Sequence, residues 1–200
     1  MRQITKNVYT AAELREHNRR AFGRALEKYR ANIDMDGYIR EEIFDSLKGL
    51  CEAAGVKIKH YNLGAYNRGN DLRVEFNEDG AEELTGARAL AWVENNLLAP
   101  MRIPWTGPER WKLAKYGEYY RPGLVKPCPF TGVCYDEYFL DALLKDIRTG
   151  HVTLREAFNG LSSDYARMLE DEYEYQAKEE TFLEDCEANG WEFDEDGRMV

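Results

Sequence analysis

The residues best suited to chemistry in this sequence are four cysteines and three histidines, which could supply a nucleophile with its base, or a metal site. Only Cys128 and Cys134 lie close together, separated by five residues that include a proline and a glycine. That gap is wider than the usual zinc-knuckle spacing, and no second pair follows at a matching distance. Two interpretations stay open: a structural zinc site, or two small core thiols on either side of a turn.

The histidines show no local pattern that would activate a cysteine. His17 lies among charged residues on a predicted helix surface, and His60 continues the apolar face of a predicted strand, where a core position is expected. No phosphate-binding loop, dinucleotide fingerprint or HExxH motif occurs. Because 37 acidic residues make chance pairs common, paired carboxylates are not specific either. We therefore expect a protein that is not an enzyme, with no cofactor and no bound metal.

The elements that would position these residues are mostly amphipathic helices. Thr10 and Glu13 match a capping box, which predicts a helix start directly after a short strand. A first apolar stripe runs through residues 14–29 and a second through residues 39–54. Gly55 follows the second stripe and is suited to a left-handed C-terminal residue.

The periodicity then changes to two. Apolar residues alternate with charged ones at 56–60 and again at 72–76, which predicts a β-hairpin with a long loop. Residues 81–98 predict a third helix, which we expect Pro100 to end. All six prolines and many aromatic residues fall within 100–135, so we interpret this stretch as an ordered, aromatic-anchored excursion, not a flexible linker.

The C-terminal third predicts three more helices and a small β-element. A helix is expected from about Asp136, and a second capping box at Thr153 and Glu156 opens a long helix. The last helix ends near Asn189 and Gly190, and a short β-element follows. The predicted fold is a single α+β domain over residues 1–200, mainly helical, with a central β-hairpin and a terminal β-element packed on amphipathic helices.

The composition limits the binding partners and the cellular compartment that we expect. The chain carries a formal charge of −10, so general binding to DNA or to an anionic membrane surface is disfavoured. No stretch approaches the ~20 apolar residues of a membrane span, and the first residues lack an apolar signal region. We expect a cytoplasmic protein without membrane contact, whose cysteines are reduced.

The negative charge is concentrated at one end. Residues 164–200 hold fourteen acidic and three basic residues, whereas residues 1–30 hold eight basic and three acidic ones. One interpretation is that these are solvated helix faces, and that the two ends partly neutralise each other. The other is that an acidic C-terminal surface binds a basic partner. The residues predicted to form that surface are Glu170, Asp171, Glu174, Glu179, Glu180 and Glu184.

A nucleic-acid-binding alternative uses the basic residues instead. The predicted first helix and the hairpin carry cations near tyrosines, which could contact phosphates and stack on bases. The residues predicted for this role are Arg20, Arg24, Lys28, Lys57, Lys59 and Arg73.

Several segments resemble a loose group of small phage and prophage accessory proteins, often labelled antitoxin-like. The closing segments are LEDEYEY at 169–175 and EANGWEFDEDGR at 187–198. The opening segments are VYTAAEL at 8–14 and ALEKYR at 25–30, and the GVKI strand at 55–58 also fits. Together they cover both ends of the chain and one strand, but not residues 100–135.

That resemblance implies a mobile-element origin and an accessory role in conflict between phage and host. The group has no established catalytic residues, so no catalytic role is transferred. We predict a non-catalytic protein that acts in the bacterial host cell through its acidic C-terminal surface. The expected partner is a host protein with a basic surface, such as a nucleic-acid-binding defence complex or a toxin, and the sequence leaves a homodimer open.

Overall fold

The computed structural model describes residues 7–33, 37–66, 68–104, 120–125 and 128–200. Within them the chain divides into two compact units. The terminal unit comprises Met1–Gly37 and Glu170–Val200, and the central unit comprises Tyr38–Leu169. The prediction of a single domain stays a prediction.

The described residues form helices joined by three two-stranded antiparallel sheets, which confirms the predicted α+β class with a helical majority. None of the described helices is both long and apolar enough to cross a membrane. The strands are β1 (Tyr9–Thr10), β2 (Val56–Asn62), β3 (Asp71–Phe76), β4 (Arg102–Pro104), β5 (Tyr120–Val125) and β6 (Glu192–Phe193). The helices are α1 (Ala11–His17), α2 (Arg19–Ala31), α3 (Tyr38–Ala53), α4 (Gly86–Val93), α5 (Ala99–Met101), α6 (Tyr135–Arg148), α7 (Leu154–Gln176) and α8 (Glu179–Asn189).

The terminal unit is built by both ends of the chain. Strand β1 pairs with β6, and the Phe182 ring of α8 contacts the rings of Phe22, Tyr29 and Phe193 at tilted or edge-on angles, with centroid distances of 5.7, 5.0 and 6.1 Å. This aromatic contact fixes α8 on α2 within the unit. The buried core consists of Ala11, Leu14, Ala21, Phe22, Ala25, Leu26, Phe182, Cys186 and Phe193.

The predicted first helix is interrupted at Asn18. Its backbone leaves the helical region, with φ −145° and ψ 85°, and its N–H still donates to the Leu14 carbonyl. The Asn18 side chain accepts a hydrogen bond from the Ala21 N–H and so caps α2. The capping box at Thr10 and Glu13 is confirmed. Apolar periodicity alone does not reveal such a break, because the buried stripe continues across it.

The central unit packs α3, α6 and the first part of α7 with the β2–β3 hairpin. The buried stripes predicted for these helices are confirmed, and Gly55 takes the expected left-handed backbone with φ +67°. The largest buried side chains of the central unit include Leu47, Leu50, Leu72, Phe139, Leu143, Phe158 and Tyr165. The second capping box, at Thr153 and Glu156, is also confirmed.

Three local predictions are wrong in the central unit. His60 is not a core residue: its side chain is 60% exposed, because a register shift between Ile58 and His60 interrupts the alternation of faces. The predicted helix over residues 81–98 breaks at Leu84 and Thr85, which are extended because they bond to the start of α7.

Pro100 does not end that helix. A wider π-helical turn at Glu94–Leu98 precedes it, and the helix continues through Met101. A proline ring clashes with the carbonyl four residues earlier in a regular helix, and the wider turn relieves this clash. Within the segment 100–135, which was predicted to be an ordered excursion, β4 pairs with β5. Residues 105–119 and 126–127 of this segment lie outside the described residues.

The loop before α6 is held by one buried carboxylate. Asp136 has no exposed surface, and its Oδ2 accepts hydrogen bonds from the N–H groups of Phe130, Thr131 and Gly132 at 2.7, 2.7 and 3.2 Å. Its Oδ1 accepts from the Thr131 hydroxyl at 2.9 Å. Thr131 also contacts the Ser46 hydroxyl, so the loop is tied to α3 as well.

Removing the Asp136 carboxylate is expected to destabilise the central unit. Asp136→Ala leaves three loop N–H groups without an acceptor, which costs about 3 kcal/mol in the free energy of unfolding measured by urea denaturation. Asp136→Asn keeps one acceptor oxygen and costs less. The control Asp141→Ala, at an exposed site on the same helix, changes the free energy by less than about 0.5 kcal/mol. Equal stabilities for Asp136→Ala and Asp141→Ala would contradict this role.

Gly197 is required by a close approach between the C-terminal turn and α2. It is buried, has φ +80°, and any Cβ there would overlap the carbonyl group of Ala21. We expect Gly197→Ala to lower the free energy of unfolding by about 3 kcal/mol, from backbone strain together with the clash. Gly190→Ala is the matched control, since Gly190 also has positive φ but open space around it, and about 1 kcal/mol is expected. A similar loss in both variants would show that the approach to Ala21 is not tight.

Candidate functional site

The exposed acidic residues of α8 form one row. Thr181, Phe182 and Cys186 are buried on one side of this helix. The other side carries Glu180, Glu184 and Glu187, spaced four and three residues apart and all exposed. We call these three residues the acidic stripe, which extends over about 10 Å of helix. It belongs to a rigid element, because α8 is anchored by its buried side.

The end of α7 adds two further exposed carboxylates to the same unit. Asp171 and Glu174 are spaced three residues apart, so they share a helix face. The Thr181 hydroxyl donates to the Tyr175 carbonyl at 2.9 Å and ties the start of α8 to the end of α7. We call the acidic stripe together with Asp171 and Glu174 the acidic surface.

Four of the six residues predicted for a partner-binding surface are exposed there: Asp171, Glu174, Glu180 and Glu184. Glu170 and Glu179 are half-buried, and Glu179 forms an ion pair with Arg15 at 3.2 Å. Glu170 has an interaction within the structure as well. The six predicted residues did not include Glu187, although its spacing from Glu180 and Glu184 predicts the same helix face.

Other acidic residues of the terminal unit are satisfied by the chain itself. Asp196 lies 3.7 Å from the Arg24 guanidinium, and the Arg24 Nε donates to the Asp196 carbonyl at 3.0 Å. The Tyr29 hydroxyl donates to Asp185 at 2.6 Å. The two ends of the chain therefore neutralise each other in part, but the unit still has eighteen acidic residues and ten basic ones.

The six basic residues considered for nucleic-acid binding are all exposed, but they do not form one patch within a unit. Arg20, Arg24 and Lys28 belong to the terminal unit, and the other three to the hairpin of the central unit. Three of the six are held by carboxylates: Arg24 by Asp196, Lys59 by Glu75 and Arg73 by Asp71.

All four cysteines are free thiols. Burial raises the pKa of Cys51 to about 12 and that of Cys186 to about 11. Burial and the nearby acidic groups raise the pKa of Cys128, which disfavours a nucleophilic thiolate. Among the described residues, no group of three or more histidine, cysteine or acidic side chains could hold a metal ion.

The Tyr29–Asp185 hydrogen bond predicts a pH-dependent contribution to stability. Burial, the hydrogen bond and the charge of Asp185 raise the pKa of Tyr29 above that of a tyrosine in the unfolded chain. The bond therefore stabilises the fold fully below about pH 10, and the contribution is lost as the pH rises further.

We expect Tyr29→Phe to cost about 1 kcal/mol in the free energy of unfolding at pH 8, with the difference from the parent disappearing near pH 11. Urea denaturation at both pH values measures this difference in the free energy of unfolding. Tyr175→Phe, at an exposed tyrosine in the same unit, is the control and should have little effect at either pH. A Tyr29→Phe difference of the same size at pH 11 would contradict the raised pKa.

The exposed groups of the acidic surface are carboxylates on α7 and α8, and carboxylates are chemically suited to bind cations. Compared with protein-family models, curated proteins and solved structures, the chain shows no match.

Proposed function

We propose that this chain is a phage or prophage accessory protein that acts without catalysis, by binding a host protein with a basic surface. The binding element is the acidic surface of the terminal unit. The partner is a nucleic-acid-handling defence factor or toxin, which the chain inhibits by covering the surface that binds phosphates.

The observation that carries this proposal is the acidic stripe. Glu180, Glu184 and Glu187 are exposed on the side of α8 that faces away from the core, and no ion pair to them is found among the described residues. Like charges three and four residues apart destabilise a helix by a few tenths of a kcal/mol per pair. Glu187 also lies near the helix C-terminus, where negative charge is unfavourable. A cation supplied by a partner would offset these costs.

The spacing of the charges supports a partner that handles nucleic acid. The stripe presents three carboxylates over about 10 Å of helix. A DNA strand presents one phosphate per roughly 3.4 Å, so the stripe offers a sparser but rigid row of the same sign. Basic groups arranged for a phosphate backbone could accept such a row. The phage-like segments at 169–175 and 187–198 lie in the same part of the chain.

The alternative, direct binding of DNA or RNA, is less supported by the contacts. Arg24, Lys59 and Arg73 would have to leave their carboxylate partners before they could contact phosphates. In the terminal unit, the excess of acidic residues would also repel the nucleic-acid backbone.

Charge reversal tests the proposal. The parent chain is immobilised, exposed to host lysate, and washed with double-stranded DNA, which should release the partner because both ligands use the same basic surface. The variant Glu174→Lys/Glu180→Lys/Glu184→Lys should lower binding of the released protein by at least about tenfold. Titration of the purified partner then gives both affinities.

The matched control reverses three exposed carboxylates of the central unit, Glu41→Lys/Asp45→Lys/Asp141→Lys, and should bind like the parent. It has the same net charge as the test variant, so it separates a local contact from a general effect of charge. The proposal is wrong if DNA releases no protein, or if both variants lose binding equally.

A further inference from the structure

A cleft of about 430 Å³ lies beside the acidic stripe, within the terminal unit. Ala11, Leu183, Cys186 and Trp191 give it an apolar lining, and the exposed residues Glu187 and Glu192 line it as well. Glu187 is also the last residue of the stripe, so the cleft and the stripe are continuous. The volume falls within the roughly 300–1,000 Å³ typical of ligand pockets, so the cleft is large enough to hold one side chain.

The cleft combines two features that suit one kind of side chain. Arginine has an apolar stem that packs on aliphatic and aromatic surfaces, and a planar guanidinium that stacks on indole and binds carboxylates in a bidentate manner. Leu183 and Trp191 offer the apolar surface, while Glu187 and Glu192 offer the carboxylates. The lysine ammonium would also be attracted to the carboxylates, but it stacks less well on the indole and cannot bind a carboxylate in a bidentate manner.

The cleft is formed before any ligand arrives. Gly190 ends α8 with a left-handed backbone, and the Trp191 N–H donates to the Cys186 carbonyl at 2.9 Å. The Tyr29 ring also lies near the indole, at 6.5 Å between ring centroids. Pairing of Glu192 with Thr10 fixes the strand that carries the second carboxylate. A preorganised pocket loses little entropy when a side chain enters it.

We infer that this cleft is the anchor point of the acidic surface and receives an arginine side chain of the basic partner. The inference rests on the proposed function and deepens it, because it names the side chain that the partner inserts. Arginine anchors in fully formed pockets often dominate the affinity of a protein interface.

The test titrates the full chain with hexa-arginine and hexa-lysine peptides, using fluorescence anisotropy of labelled peptide. The parent should bind the arginine peptide about threefold to fivefold more tightly than the lysine peptide, because only arginine uses the indole fully. In Trp191→Leu that preference should disappear. Glu187→Gln/Glu192→Gln should weaken both peptides by about tenfold, while the control Glu41→Gln/Asp45→Asn should not.

A direct readout on the parent guards against misfolding of the Trp191 variant. In ¹⁵N NMR spectra, the indole N–H signal of Trp191 should shift on addition of the arginine peptide, while that of Trp92 in the central unit should stay in place. Equal binding of both peptides without a Trp191 shift overturns the anchor. If charge reversal at Glu174, Glu180 and Glu184 still abolishes the binding of both peptides, the proposed function is supported and only the arginine anchor is wrong. If neither peptide binds the parent, both proposals fail.

Discussion

The burial of Phe182 is the contact on which the terminal unit depends. Its ring meets Phe22 and Tyr29 of α2 and Phe193 of β6, so it joins segments from both ends of the chain. Once this side of α8 is buried, the helical repeat leaves Glu180, Glu184 and Glu187 on the opposite side. The exposure of the acidic stripe is thus a consequence of core packing, and the stripe lies on a helix that the core holds in place.

Local signals explain most of what the sequence predicted correctly. The capping boxes at Thr10 and Thr153 need only residues three apart, and the apolar stripes of α3, α6 and α7 follow from the helical repeat. The left-handed Gly55 likewise follows from its position after a stripe. These features could be predicted because their physical causes lie within one or two turns of chain.

The features that were missed depend on contacts distant in sequence. Leu84 and Thr85 leave the helical conformation to bond with the start of α7, some seventy residues later. His60 turns outward because the pairing with β3 shifts register, and alternation within β2 alone cannot show a shift. For the candidate site, four of the six acidic residues that the sequence predicted are exposed. The ion pair of Glu179 with Arg15 could not be predicted, because it forms only in the tertiary fold.

The same geometry explains why no described cation of the terminal unit forms an ion pair with the acidic stripe. Helix α2 approaches α8 from its buried side, through Phe22 and Tyr29. Two of its cations contact groups away from the outer face of α8: Arg24 reaches Asp196 in the C-terminal turn, and Arg30 donates to the Ala177 carbonyl at 2.7 Å, before α8 begins. Arg15 of α1 forms an ion pair with Glu179, the first residue of α8. Because the basic and acidic ends share a core, the attraction between them is satisfied around the edges of α8, and within the described parts of the chain no ion pair forms on its outer face.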